Sequence, residues 1–104
     1  MRFLLSASMS HEAGNRLAKQ GKLASTLQAV LESIKPEAAY FGDKDGKRTA
    51  FLIVDLPDAS HIPAVAEPLF LALGADIDFT PVMVKEDLMK AAPAIEAAVK
   101  KFGS

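Results

Sequence analysis

The segment RTAFLIVDL, residues 48–56, decides the fold. Successive side chains of a β-strand point to opposite faces of the sheet, so the segment divides into two sets. The sets are Ala50, Leu52, Val54 and Leu56 on one face, and Thr49, Phe51 and Ile53 on the other. A strand that is apolar on both faces must be covered on both sides. Residues 48–56 are therefore predicted to form a central strand.

The flanking sequence predicts three more strands and three helical segments. Alternating apolar residues indicate strands, and apolar residues three or four positions apart indicate helices. Ser10 is placed to cap the first helix, and Gly21 interrupts it. In chain order the predicted elements are a strand at 2–9, an interrupted helix at 13–34, a strand at 37–42, a hairpin loop at 43–46, the strand at 48–56, a helix at 62–73, a strand at 76–84 and a helix at 85–102.

Prolines add expectations for three of these elements. Pro81 cannot donate to a strand ladder, so the fourth strand is predicted to lie at an edge or to carry a bulge. Pro63 and Pro68 predict a late start, a kink or two short turns in the helix at 62–73. Pro93 is interpreted as a first helical position that splits a short turn from the last helix.

The order of elements is β-α-β-β-α-β with an additional terminal helix. This order is typical of an α+β, ferredoxin-like sandwich with an antiparallel four-stranded sheet. Right-handed crossovers would place the first and third strands in the centre and both helices on one face. All four strands are expected to be apolar on the opposite face too, where exposure would be costly. Either the terminal helix or a second copy of the sheet is expected to cover that face.

Element order and the two-sided strands at 2–9 and 48–56 resemble the dimeric α/β-barrel superfamily, in which two ferredoxin-like protomers pack their sheets together. The resemblance implies a homodimer formed through the sheet face. Members of that superfamily include cofactor-independent monooxygenases, lactone isomerases and haem-dependent enzymes. Residues 35–41 and 58–63 also resemble segments of small bacterial proteins of unknown function.

Composition limits the classes of function. A chain of 104 residues fits one domain, residues 1–104. Its net charge of −1 offers no electrostatic attraction for nucleic acid or anionic lipid, and no apolar run approaches the ~20 residues of a membrane-spanning helix. The chain has no cysteine, which excludes disulfides and thiolate metal sites. The sequence indicates a cytoplasmic protein without a cofactor.

His61 and Asp55 are the candidate catalytic residues. His61 follows the central strand and lies near a helix start, where the helix dipole favours a neutral imidazole able to act as a general base. Asp55, six residues earlier, is the expected orienting partner. In the alternative interpretation, Asp55 and Asp58 cap the turn and His61 is a partly exposed residue of the first turn.

His11, Tyr40 and Glu67 are the candidate ligand-binding residues. His11 follows the first strand as His61 follows the third. The first and third strands are expected to be adjacent and parallel, so that the two histidines could approach each other at one end of the sheet. Tyr40 could offer its hydroxyl to a ligand, or be a core or interface aromatic. A metal would need a third ligand such as Glu12, Asp58 or Glu67, but the spacing matches no metal motif, so no metal site is predicted.

Three functions follow from these expectations. The first is a homodimer that binds a small hydrophobic metabolite in a cleft between the sheet and the helices. The second is a non-enzymatic module for oligomerisation or regulation. The third, a cofactor-independent monooxygenase-like or isomerase-like enzyme, is an analogy with the superfamily's fold alone.

Overall fold

A computed structural model describes all residues from 1 to 104. The chain forms four strands and four α-helices in an α+β arrangement. They are β1 (Arg2–Met9), α1 (His11–Lys19), α2 (Leu23–Ile34), β2 (Ala38–Lys44), β3 (Lys47–Asp55), a short 3-10 helix (Ala59–His61), α3 (Ile62–Leu73), β4 (Ala75–Pro81) and α4 (Lys85–Phe102).

The four strands form one antiparallel sheet in the order β2-β3-β1-β4. This matches the ferredoxin-like fold at a coarse level and confirms that β1 and β3 are central. Leu5 on β1 lies between Leu52 on β3 and Phe79 on β4. Pro81 is the last residue of the edge strand β4, where it costs no ladder hydrogen bond in the sheet interior.

The expected parallel alignment of β1 and β3 is wrong. The two strands are antiparallel, with Arg2 opposite Asp55 and Ser8 opposite Thr49. The reason is the hairpin between β2 and β3. Asp45 and Gly46 have φ values of 55° and 78°, so they form the two-residue turn that reverses the chain within a hairpin. Because the crossover through α1 and α2 makes β2 parallel to β1, β3 must run opposite to both.

The inner face of the sheet, which carries Leu5 and Leu52, packs against α1, α2 and α3. Both leucines are completely buried. The helices contribute Ala13 from α1, Val30 from α2 and Leu69 from α3 to the same apolar cluster. Removing this surface from water is the main favourable contribution to folding, at ~25 cal/mol per Å².

Proline and glycine act differently in the three helical regions. Gly21 has a φ of 68° and separates α1 from α2, as the interrupted pattern predicts. However, α3 continues through Pro68, and α4 continues through Pro93. The predicted split of the last segment at Pro93 is therefore wrong. Met89, four residues earlier, is exposed, so water can satisfy the carbonyl that Pro93 leaves without a donor.

The outer face of the sheet, which carries Leu4, Phe51 and Ile53, is only partly apolar. These three side chains are half-buried, whereas Asp76 and Asp78 on β4 are exposed. The expectation that all four strands are apolar on this face is wrong for β4. The strand predicted at 76–84 ends at Pro81, so Val82 lies beyond it. Association through this face and closure into a dimeric barrel stay predictions.

Helix α4 extends away from the rest of the domain. It contains no buried residue and packs against no other helix or strand to any significant extent. The protein is accordingly elongated, measuring 59 × 28 × 20 Å, and its radius of gyration is 17.5 Å. A compact chain of this length would have a radius of about 13 Å. The terminal helix therefore does not cover the outer face, which was one of the two expected covers.

None of the four helices combines the length and apolar character that crossing a membrane requires.

The central position of Leu52 predicts a large loss of stability on truncation. Leu52→Ala should lower the free energy of unfolding by about 2–5 kcal/mol, because the cavity it leaves cannot fully collapse. Leu71→Ala is the matched control, since Leu71 is 83% exposed and its change should stay within about 0.5 kcal/mol. Urea unfolding followed by circular dichroism measures both. Equal losses for the two variants would contradict the assignment of the core to the inner face.

Candidate functional site

Arg48 is the one charged residue in the inward-facing set of β3. It precedes Ala50 and Leu52 at strand spacing, so it lies over the inner face near the end of the sheet. Beside it a cavity of about 200 Å³ opens between the sheet and α2. Most residues that line the cavity are apolar. Besides Arg48, the lining consists of Ala7, Met9, Leu23, Leu27, Phe41, Gly42, Thr49, Ala50 and Leu73.

Helix α1 fixes the position of the Arg48 side chain. Nη1 of Arg48 donates a hydrogen bond to Oδ1 of Asn15 at 3.1 Å. The guanidinium also crosses Gly14 so closely that a Cβ there would lie 2.6 Å from Nη1 and 2.9 Å from Sδ of Met9. Gly14 therefore gives Arg48 and Met9 the space they occupy at the cavity.

Arg48 forms no ion pair, although Asp43 lies opposite it in the register of β2 and β3. The ion pairs of the protein involve Met1 with Asp55, Arg2 with Glu37, and His61 with Asp58. Arginine has five N–H donors in a planar fork, and the hydrogen bond to Asn15 uses one. An apolar cavity bordered by such a fork is suited to a molecule with an apolar body and a carboxylate, which the fork can bind through two parallel hydrogen bonds.

No protein-family model, curated protein or solved structure matches the chain. The roles given to Arg48 and to the turn at Asp58 therefore depend on their own contacts, burial and charge.

His61 contacts Asp58 rather than the expected partner Asp55. Nδ1 of His61 lies 3.0 Å from Oδ1 of Asp58, whereas Oδ1 of Asp55 accepts a hydrogen bond from the Met1 amine at 3.0 Å. The predicted orientation of His61 by Asp55 is therefore wrong. The side chain of His61 is 49% exposed. Its position therefore matches the alternative interpretation, in which His61 is a partly exposed residue of the turn.

Asp58 caps the 3-10 helix that follows β3. Its Oδ1 accepts hydrogen bonds from the Ser60 backbone N–H at 2.9 Å and from the Ser60 hydroxyl. The hydrogen bonds from Ser60, followed by the contact with His61, lower the pKa of the Asp58 carboxyl below its ordinary value. Similarly, the hydrogen bond from the N-terminal amine lowers the pKa of Asp55.

A second cleft of about 240 Å³ borders the Asp58 turn. Its wall includes Asp58, but His61 is not one of its lining residues. The cleft is formed by Met1, Phe3, Leu56, Pro57, Asp58, Ala59 and Ile62. The only side-chain carboxylate in this wall already accepts three hydrogen-bond contacts, so the cleft offers a ligand less polar capacity than the Arg48 cavity.

The other predicted site residues lie far apart. His11 begins α1 after β1, while His61 follows β3, and the antiparallel pairing places these two exits at opposite ends of the sheet. Tyr40 is opposite Phe51 on the outer face and is 67% exposed. Glu67 is on the exposed side of α3. None of these four residues lines the Arg48 cavity, and no three metal-binding side chains converge.

Arg48 was missed as a candidate, although the sequence carries a signal for it. Arg48 occupies the same alternation as Ala50, Leu52 and Val54, so it faces the side of the sheet that the helices cover. A cation in the inward-facing set requires a partner or an opening to solvent. The spacing shows which face of the sheet Arg48 lies on. The cavity and the close contact with Gly14, however, depend on how α1 and α2 pack against that face.

The close approach at Gly14 predicts that stability and Arg48 placement can be separated. Gly14→Ala should change the free energy of unfolding by less than about 1 kcal/mol, because the helix preference of alanine is offset by crowding of the buried Met9 Sδ, while the exposed Arg48 guanidinium can move aside. It should also displace the Arg48 guanidinium. Thermal unfolding measures the first effect, and a shift of the Arg48 Nε–Hε resonance measures the second. Unchanged Arg48 resonances in Gly14→Ala would contradict the close contact. Asn15→Ala removes the hydrogen bond to Arg48 without adding a Cβ at position 14, so it distinguishes the effect of losing that bond from the effect of crowding.

The lowered pKa of Asp58 predicts a pH-dependent contribution to stability. The contribution is present above the unfolded-state pKa of about 3.9 and is lost as pH falls through the lower folded-state pKa. Asp58→Asn keeps a capping oxygen but removes the charge. The native protein should melt above this variant at about pH 7, and the difference should shrink toward about pH 3. Asp76→Asn is the control, because exposed Asp76 makes no side-chain hydrogen bond or ion pair. A pH-independent difference for Asp58→Asn would contradict the mechanism.

Proposed function

We propose that the protein binds a small molecule that has an apolar body and one carboxylate, in the cavity beside Arg48. The observation that carries the proposal is a guanidinium that forms no ion pair, at the edge of an apolar cavity. The cavity lies between the sheet and the helices, where the sequence predicts a binding cleft. Its lining residues differ from the predicted ligand-binding residues His11, Tyr40 and Glu67.

The size of the cavity favours a compact ligand. Its volume of about 200 Å³ is below the ~300–1,000 Å³ that is typical of sites for drug-sized ligands. Each methylene group that a ligand buries there contributes about 0.8 kcal/mol. The apolar body would contact Leu27 and Ala50, while the carboxylate would remain at the edge with Arg48. Arg48 is exposed, so its contribution would be moderated by solvent.

The lining supports binding rather than acid–base catalysis. It contains no carboxylate, histidine or lysine side chain that could move a proton. Its single hydroxyl, on Thr49, donates to the Lys47 carbonyl at 3.0 Å and lies 3.0 Å from the Ser8 hydroxyl. The monooxygenase-like or isomerase-like activity and a catalytic role for His61 and Asp55 stay predictions. The same applies to membership of the dimeric α/β-barrel superfamily.

Self-association is a second candidate function, and α4 is the observation that favours it. Ile95, Val99 and Phe102 are each more than half exposed on a helix that the domain does not cover. Monomeric proteins seldom expose a contiguous apolar surface without a binding role. An assembly module would use this exposed apolar surface of α4. The ligand site is a different feature, the apolar cavity bordered by the Arg48 cation.

Binding of simple carboxylates tests the ligand proposal. Hexanoate and benzoate should raise the melting temperature, whereas hexanamide and benzamide, which lack the charge, should have a much smaller effect. Arg48→Met keeps an unbranched apolar stem but removes the fork, so calorimetric titration should show about ten- to a hundredfold weaker carboxylate binding.

Arg16→Met is the matched control, because Arg16 is exposed on α1 and does not line the cavity. It should bind both carboxylates as the native protein does. Ala50→Val adds volume within the cavity and should weaken benzoate more than a smaller carboxylate such as acetate. If neither hexanoate nor benzoate binds, or if Arg48→Met binds them as tightly as Arg16→Met, the proposed ligand class is wrong.

A further inference from the structure

Five apolar residues on α4 follow the spacing of a two-helix contact. Leu88, Ala92, Ile95, Val99 and Phe102 are separated alternately by four and three positions, and we name them the α4 seam. These spacings average 3.5 residues, which is the repeat of helices that pair with each other. Residues at this repeat form a narrow apolar stripe along the helix. All five residues are exposed. The seam therefore fits another helix with the same period.

Resting on self-association as the second candidate function, we propose that α4 pairs in antiparallel orientation with α4 of a second copy of this chain. In the register that pairs four of the five seam residues, Leu88 lies opposite Val99 of the second copy, Ala92 lies opposite Ile95 of the second copy, and Phe102 extends beyond the last layer. The two-fold axis repeats both layers, so four layers form. In the two central layers a large side chain meets a small one, which allows the helices to approach closely.

The charges at the two ends of α4 are complementary in this register. The acidic first turn of one helix, with Glu86 and Asp87, then lies at the level of the basic last turn of the other, with Lys100 and Lys101. None of these four residues forms an ion pair within its own chain. A parallel pair would instead bring acidic ends together and basic ends together, and like charges in close proximity oppose association. Antiparallel helix dipoles favour the same orientation.

The length of α4 sets the strength of the pair. Its 18 residues span about 27 Å. If each helix buries about a third of its surface, the pair buries roughly 700 Å², below the ~1,200 Å² of a standard stable interface. The pair is consequently a reversible dimer whose population increases from micromolar to submillimolar concentration. Pro93 does not belong to the seam, so its missing N–H leaves the contact unaffected.

Sedimentation over that concentration range tests the dimer. The native chain should change from the mass of one chain to the mass of two. Ile95→Glu places a charge in the seam and should shift the dissociation constant by at least about tenfold, since an unpaired charge is costly to bury. Ala97→Glu is the matched control, because Ala97 is exposed on the same helix outside the seam. Both variants should fold, because α4 contributes no buried residue.

Thiol cross-linking tests the orientation, and the absence of native cysteine removes any background. A mixture of Leu88→Cys and Val99→Cys chains should be joined by a short bismaleimide into mixed dimers. Leu88→Cys alone should cross-link far less, since the two thiols would lie at opposite ends of an antiparallel pair. Efficient cross-linking of Leu88→Cys alone would indicate a parallel pair and overturn the proposal.

The outer face of the sheet is the competing surface between copies. Association that persists in Ile95→Glu but is lost in Phe51→Glu would assign the dimer to that face and overturn the role of α4. A mass of one chain at every concentration would overturn it as well. Binding of hexanoate and benzoate is measured separately, so failure of the α4 pair and failure of the ligand site are distinguishable.

Discussion

The antiparallel pairing of β1 with β3 is the constraint on which the rest of the structure depends. Leu5 and Leu52 meet in this pair and are both fully buried. Side chains alternate along a strand, so this register determines which residues face the helices and which face outward. It places Arg48 in the inward-facing set at the end of the core. It also directs the exits of the two central strands to opposite ends, which separates His11 from His61.

The candidate ligand site results from this register together with one close helix contact. β3 brings Arg48 over the inner face, and Gly14 on α1 leaves room for the guanidinium to cross the helix. Apolar residues of the sheet and of α2 then form a cavity beside a cation that forms no ion pair. Binding of an apolar carboxylate uses both properties. By contrast, the Asp58 carboxylate is already hydrogen-bonded within its own turn, because its Oδ1 contacts the Ser60 N–H and His61 Nδ1.

Sequence patterns located the elements but not all of their relations. Alternation identified the strands, Gly21 separated the first two helices, and Pro81 indicated the edge strand. The errors arose where a rule based on nearby residues was applied to a feature that depends on solvent exposure or on distant residues. Pro93 ends a helix only where its lost hydrogen bond is costly, and in exposed α4 water can replace that bond. Asp55 was paired with His61 by proximity in sequence, yet Asp55 accepts a hydrogen bond from the Met1 amine and His61 contacts Asp58.

The sequence by itself determined the strand and helix segments, the apolar inner set, the presence of a hairpin between β2 and β3, and the period of the α4 seam. These properties depend on backbone preferences and on side-chain spacing within one segment. Only the tertiary structure decided the hydrogen-bond partner of His61, the cavity at Arg48 and the exposure of α4. The reason is that each of these depends on how separate segments meet. A pattern shows that α4 has an apolar side, but packing alone decides that its own domain leaves that side uncovered.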